Sequence, residues 1–170
     1  MKKLDFSSQL RNYAFRLLKK RSWAKGEFRQ RLTRYLLKKK GLAEEDLIDR
    51  ILRELEENGL LDDREFASLY LRHSLTFRRR GKEAIKRELR RRGVGEEIIE
   101  EVLAGREREE EEVAKDLIKR YQKRYEMRAQ RKGLTPKEKE VFLKEKLREV
   151  LLRRGFSGEM IRKILREDGS

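Results

Sequence analysis

One histidine, no cysteine and one proline leave this 170-residue chain few groups that could make or break a bond. His73 is that single histidine, set in Leu71-Arg72-His73-Ser74, a charged helical context where a lone imidazole is a surface or packing group. Metal centres need several His, Cys or clustered carboxylates. The run Glu109-Glu110-Glu111-Glu112 has the carboxylates, but successive helical residues fan around the axis and form a solvated first turn instead. Gly81-Lys82 is followed by Glu83 and lacks the upstream glycine of a phosphate loop. Without a thiol there is neither a thiolate nucleophile nor a disulfide. These residues predict no enzyme, no metal and no cofactor.

What remains is cationic. The tracts Lys38-Lys39-Lys40, Arg78-Arg79-Arg80, Arg90-Arg91-Arg92 and Arg153-Arg154 are the candidate contacts to DNA or to a filament that carries it. Lys and Arg number 47 against 32 Asp and Glu, a formal charge of +15. An excess of this size attracts polyanions and speeds their encounter, so nucleic acid, an acidic protein surface and anionic lipid are the partner classes to weigh. The excess is not a tail: it is +7 over residues 1–60, +2 over 61–105 and +6 over 106–170. Trp23, Tyr35, Phe77 and Tyr121 are aromatic groups that could stack on bases. Most of them also suit core positions; Trp23 and Phe77 stay open between the two roles.

These tracts need elements to hold them. Charged residues are 46% of the chain and hydrophobic ones 36%, which favours small helical units burying one stripe each over a single thick core. No apolar run approaches the ~20 residues of a membrane span. The start Met1-Lys2-Lys3-Leu4-Asp5-Phe6 lacks the apolar stretch of a signal peptide, so the expected compartment is the cytoplasm, with no membrane partner.

One pattern occurs three times: leucine, basic residues, glycine, an apolar residue, then a paired apolar helix. It reads Leu37-Lys38-Lys39-Lys40-Gly41-Leu42, Leu89-Arg90-Arg91-Arg92-Gly93-Val94 and Leu151-Leu152-Arg153-Arg154-Gly155-Phe156. Leu47, Ile48, Ile51 and Leu52 follow the first, Ile98, Ile99, Val102 and Leu103 the second, and Met160, Ile161, Ile164 and Leu165 the third. Glycine suits the left-handed residue that ends a helix, and the next apolar residue folds back on the last turn. Basic residues in that turn complement the negative end of the helix dipole, a sufficient structural reason for them. Stacked repeats would also display them at regular steps, and the two readings weigh about equally.

Further stripes complete each unit. Leu10, Tyr13, Ala14, Leu17 and Leu18 form one; Ser22 is the expected N-cap of a helix with Phe28, Leu32, Tyr35 and Leu36. Asp62 with Glu65 resembles a capping box opening a helix through Phe66, Ala67, Leu69, Tyr70 and Leu71, which the tract Arg78 to Gly81 ends. Ile85 and Leu89 lie on a short helix, and residues 107–132 read as one long helix closed by Gly133. Thr135-Pro136-Lys137-Glu138 supplies N-cap, N1 proline and N3 glutamate. The expectation is an all-α chain of nine helices in three tandem three-helix repeats, at 1–60, 61–105 and 106–170.

The stretch Asn58-Gly59-Leu60-Leu61-Asp62-Asp63-Arg64-Glu65-Phe66-Ala67-Ser68-Leu69-Tyr70 resembles the signature of the RecX family. Ala14-Phe15-Arg16-Leu17-Leu18, Arg21-Ser22 and Glu27-Phe28-x-x-x-Leu32 are similar to its first repeat. Arg80-Gly81-x-x-x-Ile85-x-x-Glu88-Leu89-x-x-x-Gly93-Val94 is similar to its second. The resemblance covers residues 10–104, and the third unit agrees through the repeat pattern. It implies tandem three-helix repeats in an elongated, curved body. It also implies binding in the groove of the RecA–DNA filament, lowering its ATPase, strand-exchange and coprotease activities in recombination and DNA repair. The family has no defined contact motif, so the basic tracts above rest on charge alone. The expected partners are the RecA filament and single- and double-stranded DNA without sequence preference, engaged by a monomer. The rival reading is a free-standing DNA-binding protein; scarce Asn and Gln make a base-reading helix a poor fit and unspecific phosphate contact a better one.

Overall fold

A computed structural model of the chain describes residues 6–40 and 44–167, without the side chains of Lys40 and Glu167. Among the described residues there are nine helices and no strand. They are α1 (Phe6–Leu18), α2 (Lys25–Lys40), α3 (Glu45–Glu57), α4 (Asp63–Thr76), α5 (Lys82–Arg91), α6 (Glu96–Leu103), α7 (Glu107–Arg131), α8 (Pro136–Arg154) and α9 (Gly158–Glu167). The fold is the expected all-α series of three-helix repeats. Apolar spacing explains it locally: α3 buries Ile48, Ile51, Leu52 and Leu55, the i, i+3, i+4, i+7 stripe of one helical face.

By packing, the residues fall into two compact units. One joins the chain up to Leu69 with Leu89–Val102, and the other joins Tyr70–Glu88 with the chain from Leu103. The first unit's core gathers Leu10, Ala14, Phe28, Leu32, Leu36, Ile48, Ile51 and Leu52. The second unit's core lies along α7, α8 and α9, from Ala114, Leu117 and Ile118 to Leu151, Phe156, Ile161 and Ile164.

Helix ends follow their capping chemistry. The Thr135 hydroxyl accepts from the Glu138 N–H while the Glu138 carboxylate accepts from the Thr135 N–H, a complete capping box with Pro136 behind it. Asp62 caps α4 by accepting from the N–H groups of Arg64 (2.8 Å) and Glu65 (3.0 Å). Gly93 and Gly155 stand in the left-handed region, at φ +80° and +84°. The first glycine stop, Gly41-Leu42, lies outside the described residues. Ser22 is not the N-cap expected: α2 begins at Lys25, three residues later. Its cap comes from another helix, because the Lys25 N–H donates to the Asp63 carboxylate at 2.8 Å.

That borrowed cap belongs to a joint that occurs twice. In the first unit the start of α2 presses on the turn after α5. The Glu27 N–H donates to the Arg92 carbonyl at 2.8 Å, and a Cβ on Gly26 would lie 2.6 Å from the Gly93 Cα. In the second unit the start of α5 presses on the turn after α8. The N–H groups of Gly81 and Glu83 donate to the carbonyls of Arg154 (2.9 Å) and Gly155 (3.0 Å), and a Cβ on Gly81 would strike the Gly155 carbonyl. Here the Lys82 N–H donates to Glu110 at 2.8 Å, as Lys25 does to Asp63. Close backbone contact thus requires Gly26 and Gly81, while Gly93 and Gly155 are required twice over, by dihedral angle and by contact.

Burial raises the Asp63 and Glu110 carboxyls above their ordinary values, against the pull of the N–H and the lysine charge. Such an acid binds its proton more tightly folded than unfolded. Its contribution to stability is full below the unfolded value of about 4 and is lost as pH rises through the raised one. Asp63→Ala should cost about 1–3 kcal/mol because it orphans the Lys25 N–H, and Asp63→Asn, which keeps an acceptor, should cost less. Glu110→Gln should flatten the decline in stability as pH rises above about 4. Urea midpoints across pH read all three; equal losses for the two Asp63 variants would remove the cap.

Candidate nucleic-acid interface

The tract Arg78 to Arg80 occupies the turn between α4 and α5. Its backbone is tied back to the last turn of α4: the Phe77 N–H donates to the His73 carbonyl at 3.0 Å and the Arg80 N–H to the Ser74 carbonyl at 3.1 Å. Arg79 takes φ +48°, the one left-handed non-glycine among the described residues. For an L-residue that conformation costs roughly 1–2 kcal/mol. Two contacts hold it. Arg79 Nε donates to Asp116 on α7 at 2.6 Å, and Arg154 at the end of α8 donates to the Arg78 carbonyl at 2.8 Å. The Arg79 guanidinium in turn holds the Asp116 carboxyl below the usual range, so the pair stays ionised at neutral pH.

This arrangement encloses a cleft of about 300 Å³ in the second unit. The turn contributes Phe77, Arg78 and Arg79, α8 contributes Arg154, and α7 contributes Leu117, Arg120, Tyr121 and Arg124. The α7 residues sit at i, i+3, i+4 and i+7, one face of a helix. Arg78, Arg120 and Arg124 are exposed and make no ion pair within 4 Å among the described residues. Arg154 also borders a groove of about 490 Å³ lined by Arg80, Ala84, Arg87, Glu88 and Arg153. The two depressions share one arginine and form a cationic surface. Arginine suits phosphate because its planar fork donates two parallel hydrogen bonds.

The structure thus brings Arg78, Arg79 and Arg80 together with Arg153 and Arg154. It places Arg90, Arg91 and Arg92 elsewhere, in the first unit. Arg90 pairs with Glu96, and Arg92 pairs with Glu27 at 2.9 Å while lying over the Phe66 ring. Lys38 and Lys39 are exposed on the last turn of α2, and the Lys40 side chain lies outside the described residues. Trp23 is a core residue: it is buried, donates Nε1–H to the Leu17 carbonyl at 2.9 Å and meets Phe28 edge-on. Tyr35 stacks on Tyr13 beside the same core. Phe77 is the reverse, 70% exposed. His73 is exposed, with its ring 5.3 Å from that of Phe77.

Arg87, Arg120 and Arg124 were not foreseen as site residues. The signal for the last two was available, since Arg120, Tyr121 and Arg124 share the helical face that begins at Leu117. Among the described residues no group of three His, Asp or Glu could hold a metal ion, and no helix is long and apolar enough to cross a membrane.

Residues 62–103 match the family described as RecX, second three-helix domain. The chain is 37% identical over 130 residues to the regulatory protein RecX of Geobacillus sp. (strain WCH70), covering 76% of this chain and 44% of that protein. The chain therefore spans less than half of that relative. It is 33% identical over 153 residues to the regulatory protein RecX of Mycolicibacterium smegmatis, covering 89% of this chain and 75% of that one. The crystal structure of RecX from Lactobacillus salivarius superposes with a TM-score of 0.75 at 25% identity, over 95% of both chains. These relatives are named as regulatory proteins, not as enzymes.

Arg120→Gln with Arg124→Gln should reduce the salt slope of single-strand binding by about 1.4, at ~0.7 per lost phosphate contact. Both side chains are exposed, so the unfolding midpoint should hold. Arg92→Gln should do the opposite, leaving the slope and costing about 1 kcal/mol with the Glu27 pair. Binding isotherms at several salt concentrations and urea melts separate the cases; a slope that moves with Arg92 alone would relocate the interface to the first unit.

Proposed function

The chain belongs to the RecX family, and on that premise we propose that it binds the RecA–DNA filament and lowers its ATPase, strand-exchange and coprotease activities. The observation that carries this reading is the arginine surface around Arg154, where Arg78, Arg120 and Arg124 lie exposed and form no ion pair within 4 Å among the described residues. A filament of protein on nucleic acid presents phosphates in a groove, and unpaired guanidinium groups are the chemistry that meets them. The protein acts by occupancy, as a cytoplasmic monomer, with residues 1–60, 61–105 and 106–170 as successive binding modules. Linked modules raise each other's effective concentration on a repeating polymer, so modest contacts add to firm binding.

A second reading, a free-standing DNA-binding protein without sequence preference, is favoured by one feature. The two depressions present arginine and no Asn or Gln, so they suit phosphate and not base edges. The readings part on what the protein does when DNA is already covered by RecA.

Added to RecA assembled on single-stranded DNA, the protein should slow ATP hydrolysis without hydrolysing ATP itself, at concentrations below those needed to coat the DNA. Truncation at Gly105 is a poor control, because it strips the Gly155 turn from the start of α5 and the Glu110 cap from Lys82. The triple variant Arg78→Gln, Arg120→Gln, Arg124→Gln, which keeps both joints, is the better one and should inhibit less. Inhibition matched by an unrelated basic protein of equal charge would leave DNA coating as the mechanism.

A further inference from the structure

We propose that the cleft beside Phe77 seats one unpaired nucleotide of a single strand, its base on the Phe77 ring and its phosphate among Arg78, Arg120 and Arg124. The inference rests on the nucleic-acid reading of this surface and adds a preference for single strands over duplex. Four observations support it. Phe77 is a large aromatic residue 70% exposed at the cleft, where it leaves apolar area in water that burial under a base would remove. It stands on a turn tied by backbone hydrogen bonds to α4, so the ring is presented by a fixed backbone.

The second observation is charge. Arg21, Arg64, Arg90 and Arg106 are exposed arginines that pair with acids. Arg78, Arg120 and Arg124 do not, although they crowd one cleft with Arg79 and Arg154. An anion placed among them relieves that repulsion. The third is conformation: Arg79 holds a disfavoured backbone angle, and its pair with Asp116 shapes the wall that Arg78 and Phe77 share. Strain of this kind concentrates where a geometry is used. The fourth is size. A cleft of about 300 Å³ lies at the small end of ligand sites, room for one nucleotide and not for a folded segment.

Strand selectivity follows from access. Bases in a duplex are stacked on each other and offer the outside only edges and phosphates, whereas an unpaired base has a free face for an aromatic ring. Both strand forms can use the arginines; the ring serves only one. The neighbouring groove, across Arg154, then receives the next phosphate from Arg80, Arg87 and Arg153.

The test uses the full chain with no RecA present, titrated into labelled oligothymidylate or a duplex of the same length at several salt concentrations. Phe77→Ala should weaken single-strand binding by about 5- to 150-fold, the range for losing one base–aromatic stack. Duplex affinity and both salt slopes should stay put, because no cation is lost, and Phe77→Tyr should keep wild-type selectivity. Arg124→Gln should instead lower the single-strand slope by ~0.7. Phe77→Ala that leaves the single-strand-to-duplex ratio unchanged overturns the nucleotide seat. Displacement of the oligonucleotide from wild-type protein by polyglutamate at equal charge overturns it in favour of an acidic protein segment. The filament reading is scored separately: an unchanged strand ratio in Phe77→Ala alongside ATPase inhibition by the wild-type protein sinks the seat alone, and a Phe77-dependent ratio without ATPase inhibition sinks the filament reading alone.

Discussion

The contact on which this molecule depends is the backbone-to-backbone meeting of a helix start with a glycine turn. It occurs where α2 meets the turn at Gly93 and where α5 meets the turn at Gly155. A helix start carries N–H groups with no partner inside the helix, and a helix end carries carbonyls in the same condition. Set against each other, the two satisfy both deficits and align the dipoles favourably. The approach is possible because no Cβ stands between them. Asp63 and Glu110 complete each joint by accepting from the N–H of Lys25 and of Lys82, Asp63 half-buried and Glu110 buried as they do so. Because each joint links residues far apart in sequence, three small helical repeats with thin cores become two larger packed units.

The same joint explains why basic residues recur before the glycines. Their carbonyls are the acceptors, so the residue must end a helix, and a cation there also meets the dipole's negative end. Arg92 and Arg154 show how one structural position diverges. Arg92 turns to Glu27 and the Phe66 face and is consumed in holding the first unit. Arg154 turns instead to the Arg78 carbonyl and becomes a wall shared by two arginine-lined depressions. A basic triplet is thus cement in one unit and part of an exposed cationic surface in the other.

Charge in this chain is accordingly of two kinds. Some arginines, Arg21, Arg64 and Arg92 among them, are held by acids in pairs that are individually weak at a solvated surface. Others form no ion pair among the described residues, and Arg78, Arg120 and Arg124 stand together in one cleft, where they add to the positive field of the surface. The turn at Arg79 marks the boundary: its own guanidinium is paired with Asp116, while its neighbour Arg78 is exposed and its carbonyl secures Arg154.

The helices were legible from the residues alone, because apolar spacing, glycine stops and the Thr135 box are local signals, each complete within a turn or two. The signature at Asp62-Asp63 was legible as a helix start, but only half of its meaning is local. Asp62 caps its own helix, whereas Asp63 caps α2, 38 residues upstream, a partnership no spacing rule contains. For the same reason Ser22 was a reasonable but wrong cap: a neighbouring helix supplied a better acceptor. The division of the basic tracts into paired and unpaired groups was likewise beyond reach, since a guanidinium is neutralised by acids that folding brings near it. Arg90 and Arg78 read alike in one dimension. Only folding, which sets Glu96 beside Arg90 and leaves Arg78 and Phe77 in solvent, separates the paired cation from the unpaired one.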